Sequence, residues 1–152
     1  MAIPNIFEKD TLETIKTRIR KLTNSTPALW GKMNVTQMLA HCNVTYEMIF
    51  TEKHPKPNFI MRFMLKLFVK GKVVGESTYE KNSPTGPQFI ITDIREFEKE
   101  QNRLIAYLDQ VFELGSTSFE GKESNSFGVL TAREWNNMMY KHLDHHLSQF
   151  GV

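Results

Sequence analysis

Three of the five histidines in this 152-residue chain fall within five positions near its end, at His142, His145 and His146. Residues four apart in a helix lie about 40° apart around the axis and about one turn apart along it. His142 and His146 have that spacing, with which one helix can offer two imidazoles to a single metal ion. His41, far back in the sequence, is the natural third ligand. Three neutral imidazoles leave a divalent ion at least one open position. There the ion can lower the pKa of a bound water or hold a substrate thiol as thiolate. The pattern points to a metal site and, through its open position, to an enzyme.

The elements that must position these groups can be read from caps and periodicity. Thr131-Ala-Arg-Glu134 has capping-box spacing and opens a helix that Gly151 stops. On its wheel Trp135, Met138, Met139, His142, His146 and Gln149 share a face. Arg133, Asn137 and Asp144 lie opposite, and His145 sits on the flank. Asn34-Val-Thr-Gln37 opens a second helix to about Phe50. There His41 shares a face with Gln37, Met38, Val44, Thr45 and Met48, while Asn43 and Glu47 lie opposite. His41 and the pair are therefore expected to face inward. An unpaired imidazole on a buried face is costly, so a pair one turn apart needs two separate partners or one shared ion. Gln37 and Gln149 share the ligand faces and are candidates to orient imidazole N–H groups; His145 is a candidate proton relay at the rim. Each has an ordinary alternative: a hydrogen-bonded core histidine, a polar residue at the bundle edge, a surface histidine.

Elsewhere, Asp10-Thr-Leu-Glu13 has capping-box spacing and predicts a helix to about Leu22. Asn58 to Lys70 reads as a short, dense apolar helix with a basic stripe of Arg62, Lys66 and Lys70. A Gly/Ser/Pro-bearing stretch from Gly71 to Phe89 follows, of a length that is usually functional or a crossover. A long helix is expected from Thr92 or Asp93 to Leu114, with Gly115 as its stop. Ser116 to Leu130 reads as a loop. Val73-Val74 is too short for a strand, and Gln88 to Ile91 is at most a minor one. The expected fold is all-α: a four-helix bundle with one short accessory helix and long crossover loops, in a single domain over residues 1–152. Trp30 and Trp135 are expected to pack the bundle. His54 beside Pro55 reads as a surface or turn residue, and Cys42 as a small packing residue.

The net charge of +2 is spread along the chain and leaves no footprint for nucleic acid. One cysteine cannot form an intrachain disulfide. Met1 to Asp10 lacks the basic start and apolar core of a signal peptide, and no apolar run reaches bilayer length. A cytoplasmic protein is expected.

Two segments carry a family resemblance. Trp30-Gly-Lys-Met-Asn-Val-Thr-Gln-Met-Leu-Ala-His-Cys42 is one. The other is Phe127-Gly-Val-Leu-Thr-Ala-Arg-Glu-Trp135 with Lys141-His-Leu-Asp-His-His-Leu-Ser-Gln-Phe-Gly151. With a histidine on the second helix and His-x-x-x-His on the last, the chain resembles the DinB/YfiT-like superfamily, in particular an uncharacterised branch. The likeness is specific over roughly a quarter of the chain and architectural elsewhere. It implies a four-helix bundle of unusual helix order that holds a divalent metal through His41, His142 and His146. His145 has no ligand counterpart in that pattern. The superfamily includes bacillithiol- and mycothiol-dependent transferases and isomerases, so the resemblance implies a small-molecule substrate, with a low-molecular-weight thiol among the options.

The expected cofactor is a divalent ion, Zn or Ni first; imidazole ligands suit several metals and do not choose between them. The expected function is that of a metal-dependent transferase or hydrolase. The rival is a non-catalytic bundle, a binding or structural module. In that reading the 58–70 helix is a homodimer contact, a lid or, less readily, a membrane-surface contact.

Overall fold

The structure, a computed structural model, describes residues 3–152, so Met1 and Ala2 of the N-terminal stretch lie outside the described residues. Among those described are six α-helices: α1 Lys9–Lys21, α2 Val35–Phe50, α3 Phe59–Phe68, α4 Lys70–Val74, α5 Phe97–Leu114 and α6 Ala132–Gln149. A hairpin of β1 Lys122–Ser124 and β2 Gly128–Leu130 precedes α6. The fold is all-α apart from this small hairpin. None of these helices is long and apolar enough to cross a membrane.

The two helices that carry the histidines begin where their caps predict. The Asn34 side chain accepts from Gln37 N–H and the Gln37 side chain accepts from Asn34 N–H. Thr131 and Glu134 make the same reciprocal pair at the start of α6. Other boundaries differ. The Asp10 capping box does not form: a turn in which Glu8 N–H bonds the Asn5 carbonyl starts α1 early, and Asp10 lies inside the helix. The long helix α5 starts at Phe97 rather than near Asp93, because the Asp93 carboxylate pairs with Arg95 instead of capping, and Ile94 before it is fully exposed. The loop expected over Ser116–Leu130 contains the hairpin. The Ser124 hydroxyl accepts from Phe127 N–H and donates to the Gly128 carbonyl, closing a turn on strands too short to show alternation. Two short helices, α3 and α4, stand where one was expected.

Helices α1 and α2 each pack on both α5 and α6, so the consecutive pairs α1/α2 and α5/α6 lie diagonally across the bundle. Ile15, Ile19, Met38, Leu39, Leu104, Leu108, Met139 and Leu143 fill its centre. The side of α2 opposite His41 is buried as well. Asn43 and Glu47 are buried against α5, where Asn43 Nδ2 donates to Glu100 and Glu47 pairs with Arg103, Lys53 and His54. His54 is thus held 2.6 Å from Glu47 rather than standing free at a turn. Asn137 of α6, likewise opposite the histidines of its helix, is buried beneath α4 and donates to the Val74 carbonyl.

The crossover from α2 to α5 is tied down at both ends. Lys141 Nζ donates to the carbonyls of Lys72, Val73 and Gly75, the free carbonyls at the end of α4. Gln37 Nε2 donates to the Ile91 carbonyl. Between these anchors the chain crosses the mouth of the bundle through a 3₁₀ turn at Pro87–Phe89.

Candidate metal centre

His41 comes from the middle of α2, and His142 and His146 from successive turns of α6. One ring nitrogen from each lies within 4.8 Å of the other two. His41 Nε2 and His142 Nε2 are 2.9 Å apart. The ring centroids are separated by 4.9 Å for His41 and His142, 4.5 Å for His41 and His146, and 4.8 Å for His142 and His146. His41 and His146 are buried, and His142 is partly exposed.

The far side of each ring explains why the Nε2 atoms converge. His41 Nδ1 is 2.9 Å from the Phe89 carbonyl, His142 Nδ1 is 3.1 Å from the Thr45 hydroxyl, and His146 Nδ1 is 2.8 Å from Gln149 Oε1. A carbonyl can only accept, so His41 and His146 carry their proton on Nδ1 and present a bare lone pair at Nε2. His142 can satisfy one of those lone pairs by donating its own proton, but not both. Three imidazoles anchored from behind, with one nitrogen of each within 4.8 Å of the others, could bind a divalent ion. The side chains present therefore fit such an ion.

Electrostatics act in the same sense. Burial, and then the neighbouring rings, push His142 well below the ordinary histidine range. Burial lowers His146 to about 3, with His41 adding to the effect against the Gln149 hydrogen bond. Burial also lowers His41, against the pull of the Phe89 carbonyl. Neutral imidazole is the form that ligates.

The two glutamines singled out in the sequence part company here. Gln149 accepts from His146 and donates from Nε2 to the Trp30 carbonyl at 2.7 Å. Gln37 orients no ring: its amide is spent on the α2 cap and on Ile91. It acts one step back, by holding the strand of crossover that supplies the Phe89 carbonyl. Thr45 was visible in the sequence as a residue one turn after His41 on the same face. The Phe89 carbonyl was not, since a backbone group in a loop leaves no residue-type signal.

His145 is not among the converging nitrogens. Its ring lies against His146, Tyr79 and Trp30 at centroid distances of 5.0, 5.8 and 5.9 Å. It forms one wall of a cleft of about 200 Å³ shared with Trp30, Tyr79, Lys81, Lys141 and Ser148. Trp30 is consequently a wall of this cleft, with Lys81 Nζ 4.2 Å from its ring, and only Trp135 is a core tryptophan. Phe89 covers His41 and His142 at 5.2 and 5.9 Å, so the crossover loop roofs the cluster. Asp144 is paired with Arg18 at 2.7 Å, Glu134 caps α6 and binds Lys70, and Cys42 is a buried thiol that burial pushes far upward. None of these three is a free acid, base or nucleophile beside the cluster.

A profile of the family described as "Protein of unknown function (DUF1569)" matches residues 5–151. No curated protein and no solved structure matches the chain.

Proposed function

The chain belongs to the DUF1569 family, and from that premise we propose that it is a divalent-metal protein, a transferase or hydrolase acting on a small molecule, and a relative of the DinB/YfiT-like bundles. The observation that carries this reading is the set of three Nδ1 anchors behind rings that each bring one nitrogen within 4.8 Å of the others. His41, His142 and His146 hold the ion, Zn²⁺ or Ni²⁺. Bound there, the ion supplies a Lewis acid that favours hydroxide or thiolate at neutral pH.

The chain's own groups do the rest. Thr45, Gln149 and the Phe89 carbonyl fix the direction of each ring. Phe89 keeps water from the His41 side. The cleft bounded by Trp30, Tyr79 and Lys81 is the way in for the substrate, a low-molecular-weight thiol being the class tested first. His145, partly exposed and set against both that cleft and His146, is the group we assign to relay protons at the rim.

Metal content of tag-free protein tests the reading. About one equivalent of Zn or Ni by mass spectrometry is expected, and none in a His142→Ala, His146→Ala double variant that retains its helical circular dichroism. An unmetallated wild type after reconstitution with both ions would end the proposal. One equivalent would justify assays of thiol transfer and of hydrolysis.

A further inference from the structure

The amphipathic helix α3 is mounted inside out. Its basic residues face the protein: Arg62 binds Glu123 at 2.5 Å, Lys66 lies over Gly128, and Lys70, just beyond the helix, binds Glu134 at 2.9 Å. Leu65 and Val69 share that side and touch the core. At 100° per residue, Phe63, Leu67, Ile60, Met64, Phe68 and Met61 then occupy an unbroken arc of about 160° on the other side. All six are between 45% and 73% exposed, and Phe59, at the helix start, is 83% exposed. No residue of α3 is buried, so the helix is not a lid closed onto its own bundle.

We infer that this face is the contact between two copies of the chain, paired α3 to α3 about a two-fold axis. At the areas typical of large apolar side chains, the exposed residues present on the order of 700 Å². That exceeds the roughly 300–600 Å² of the largest patch on an ordinary monomer and approaches the roughly 800 Å² per partner of a standard interface. A ten-residue helix is marginal in water without a packed face, and α3 packs only the side bearing its charges. The outward arc has no charged residue, so its complement is another uncharged apolar face, and a two-fold pair supplies the same arc. Aromatic and methionine side chains of this kind are enriched at the centres of interfaces. A membrane surface fits less well. A helix that lies on anionic lipid offers free cations beside its apolar face, whereas Arg62 and Lys70 here are already paired with Glu123 and Glu134. The inference does not depend on the metal reading.

Light scattering during size exclusion tests it, on the wild type and on a Phe63→Glu, Leu67→Glu variant. Both sites are exposed in the single chain, so the variant should keep the wild-type circular dichroism. The wild type should run at about twice its 17.7 kDa chain mass at 50 μM, and the variant at the single-chain mass. A monomeric wild type would overturn the inference, as would a variant that remains dimeric. A parallel flotation with 3:1 phosphatidylcholine–phosphatidylglycerol vesicles should leave the wild type unbound. Flotation of a monomeric wild type that the variant loses would replace the second copy with a membrane.

Discussion

Helix α2 carries two buried polar clusters on opposite sides, and they are built on opposite rules. Toward α5, Glu47 and Glu100 face Arg103, Arg95, Lys53 and His54, so each buried carboxylate meets an opposite charge. Toward α6, His41 meets His142 and His146, three groups of one kind with a nitrogen of each within 4.8 Å of the others. The first cluster pairs its charges and pins α2 to α5, although Asn43 Oδ1 beside Glu100 has no hydrogen-bond partner among the described residues. In the second, each Nδ1 has a partner behind the ring, and at the centre His41 Nε2 and His142 Nε2 lie 2.9 Å apart. Opposite charges complete one another, whereas three like rings can be completed by a ligand.

The contrast is broken or confirmed first by removing one member of each. Glu47→Gln removes the buried carboxylate that Arg103, Lys53 and His54 share, though Arg103 keeps Glu100, and we expect a loss of about 2 kcal/mol in urea unfolding with the metal content unchanged. His146→Leu should cost the metal-free protein less than about 1 kcal/mol, because it relieves a crowded cluster, and should abolish metal binding. Comparable losses in the two metal-free variants would mean that both clusters are structural.

Acid should act on the α5 side in a defined window. Burial by itself would raise the Glu47 carboxyl, but hydrogen bonds from His54, Arg103 and Lys53 overcome it and hold the group at about 2, below its ordinary 4.5. A depressed folded pKa stabilises above the unfolded value and is lost as pH falls through the folded one. Stability of the metal-free protein should therefore fall by on the order of 2–3 kcal/mol between about pH 5 and pH 2 on account of this group. The Glu47→Gln variant should lack that part of the acid limb; an identical limb in both proteins would move the effect to other carboxylates.

How much of this was legible follows from what each element depends on. The starts of α2 and α6 were readable because a cap is local chemistry, Asn34 with Gln37 and Thr131 with Glu134. The convergence of His41 with the pair was readable as faces, since each helix buries its histidines for its own periodic reasons. The environment of Glu47 and Asn43 was not. A wheel assigns one inward side, and α2 is buried on both because α5 and α6 flank it. The same limit hid Asn137 beneath α4. The stop of the crossover at Phe89 and the inverted mounting of α3 depend on contacts with residues about 48 and 61 positions away, which no local pattern encodes.

Smaller effects distinguish anchors from ligands on the α6 side. Thr45→Val removes the hydroxyl behind His142 while keeping the shape, and should weaken Zn²⁺ about 10- to 100-fold in competition with a chromogenic chelator. The ring itself and the fold should stay in place. Loss of all metal would make Thr45 part of the site's framework rather than its tuning, and an unchanged affinity would remove the anchor argument at that ring.

The most distant anchor gives the smallest and most specific effect. Gly31 has φ +82°, and a Cβ there would come within 2.5 Å of Gln149 Nε2, the atom that donates to the Trp30 carbonyl. Gly31→Ala should cost about 1 kcal/mol from the left-handed backbone alone. It should also push the Gln149 amide off Trp30, loosening the oxygen that fixes His146. A several-fold weaker affinity for Zn²⁺ is expected, and Gly31→Ala combined with Gln149→Ala, which removes the colliding amide, should bind no more weakly than Gln149→Ala alone. Additive losses in the pair would show that Gly31 acts on the cluster by another route than the amide it makes room for.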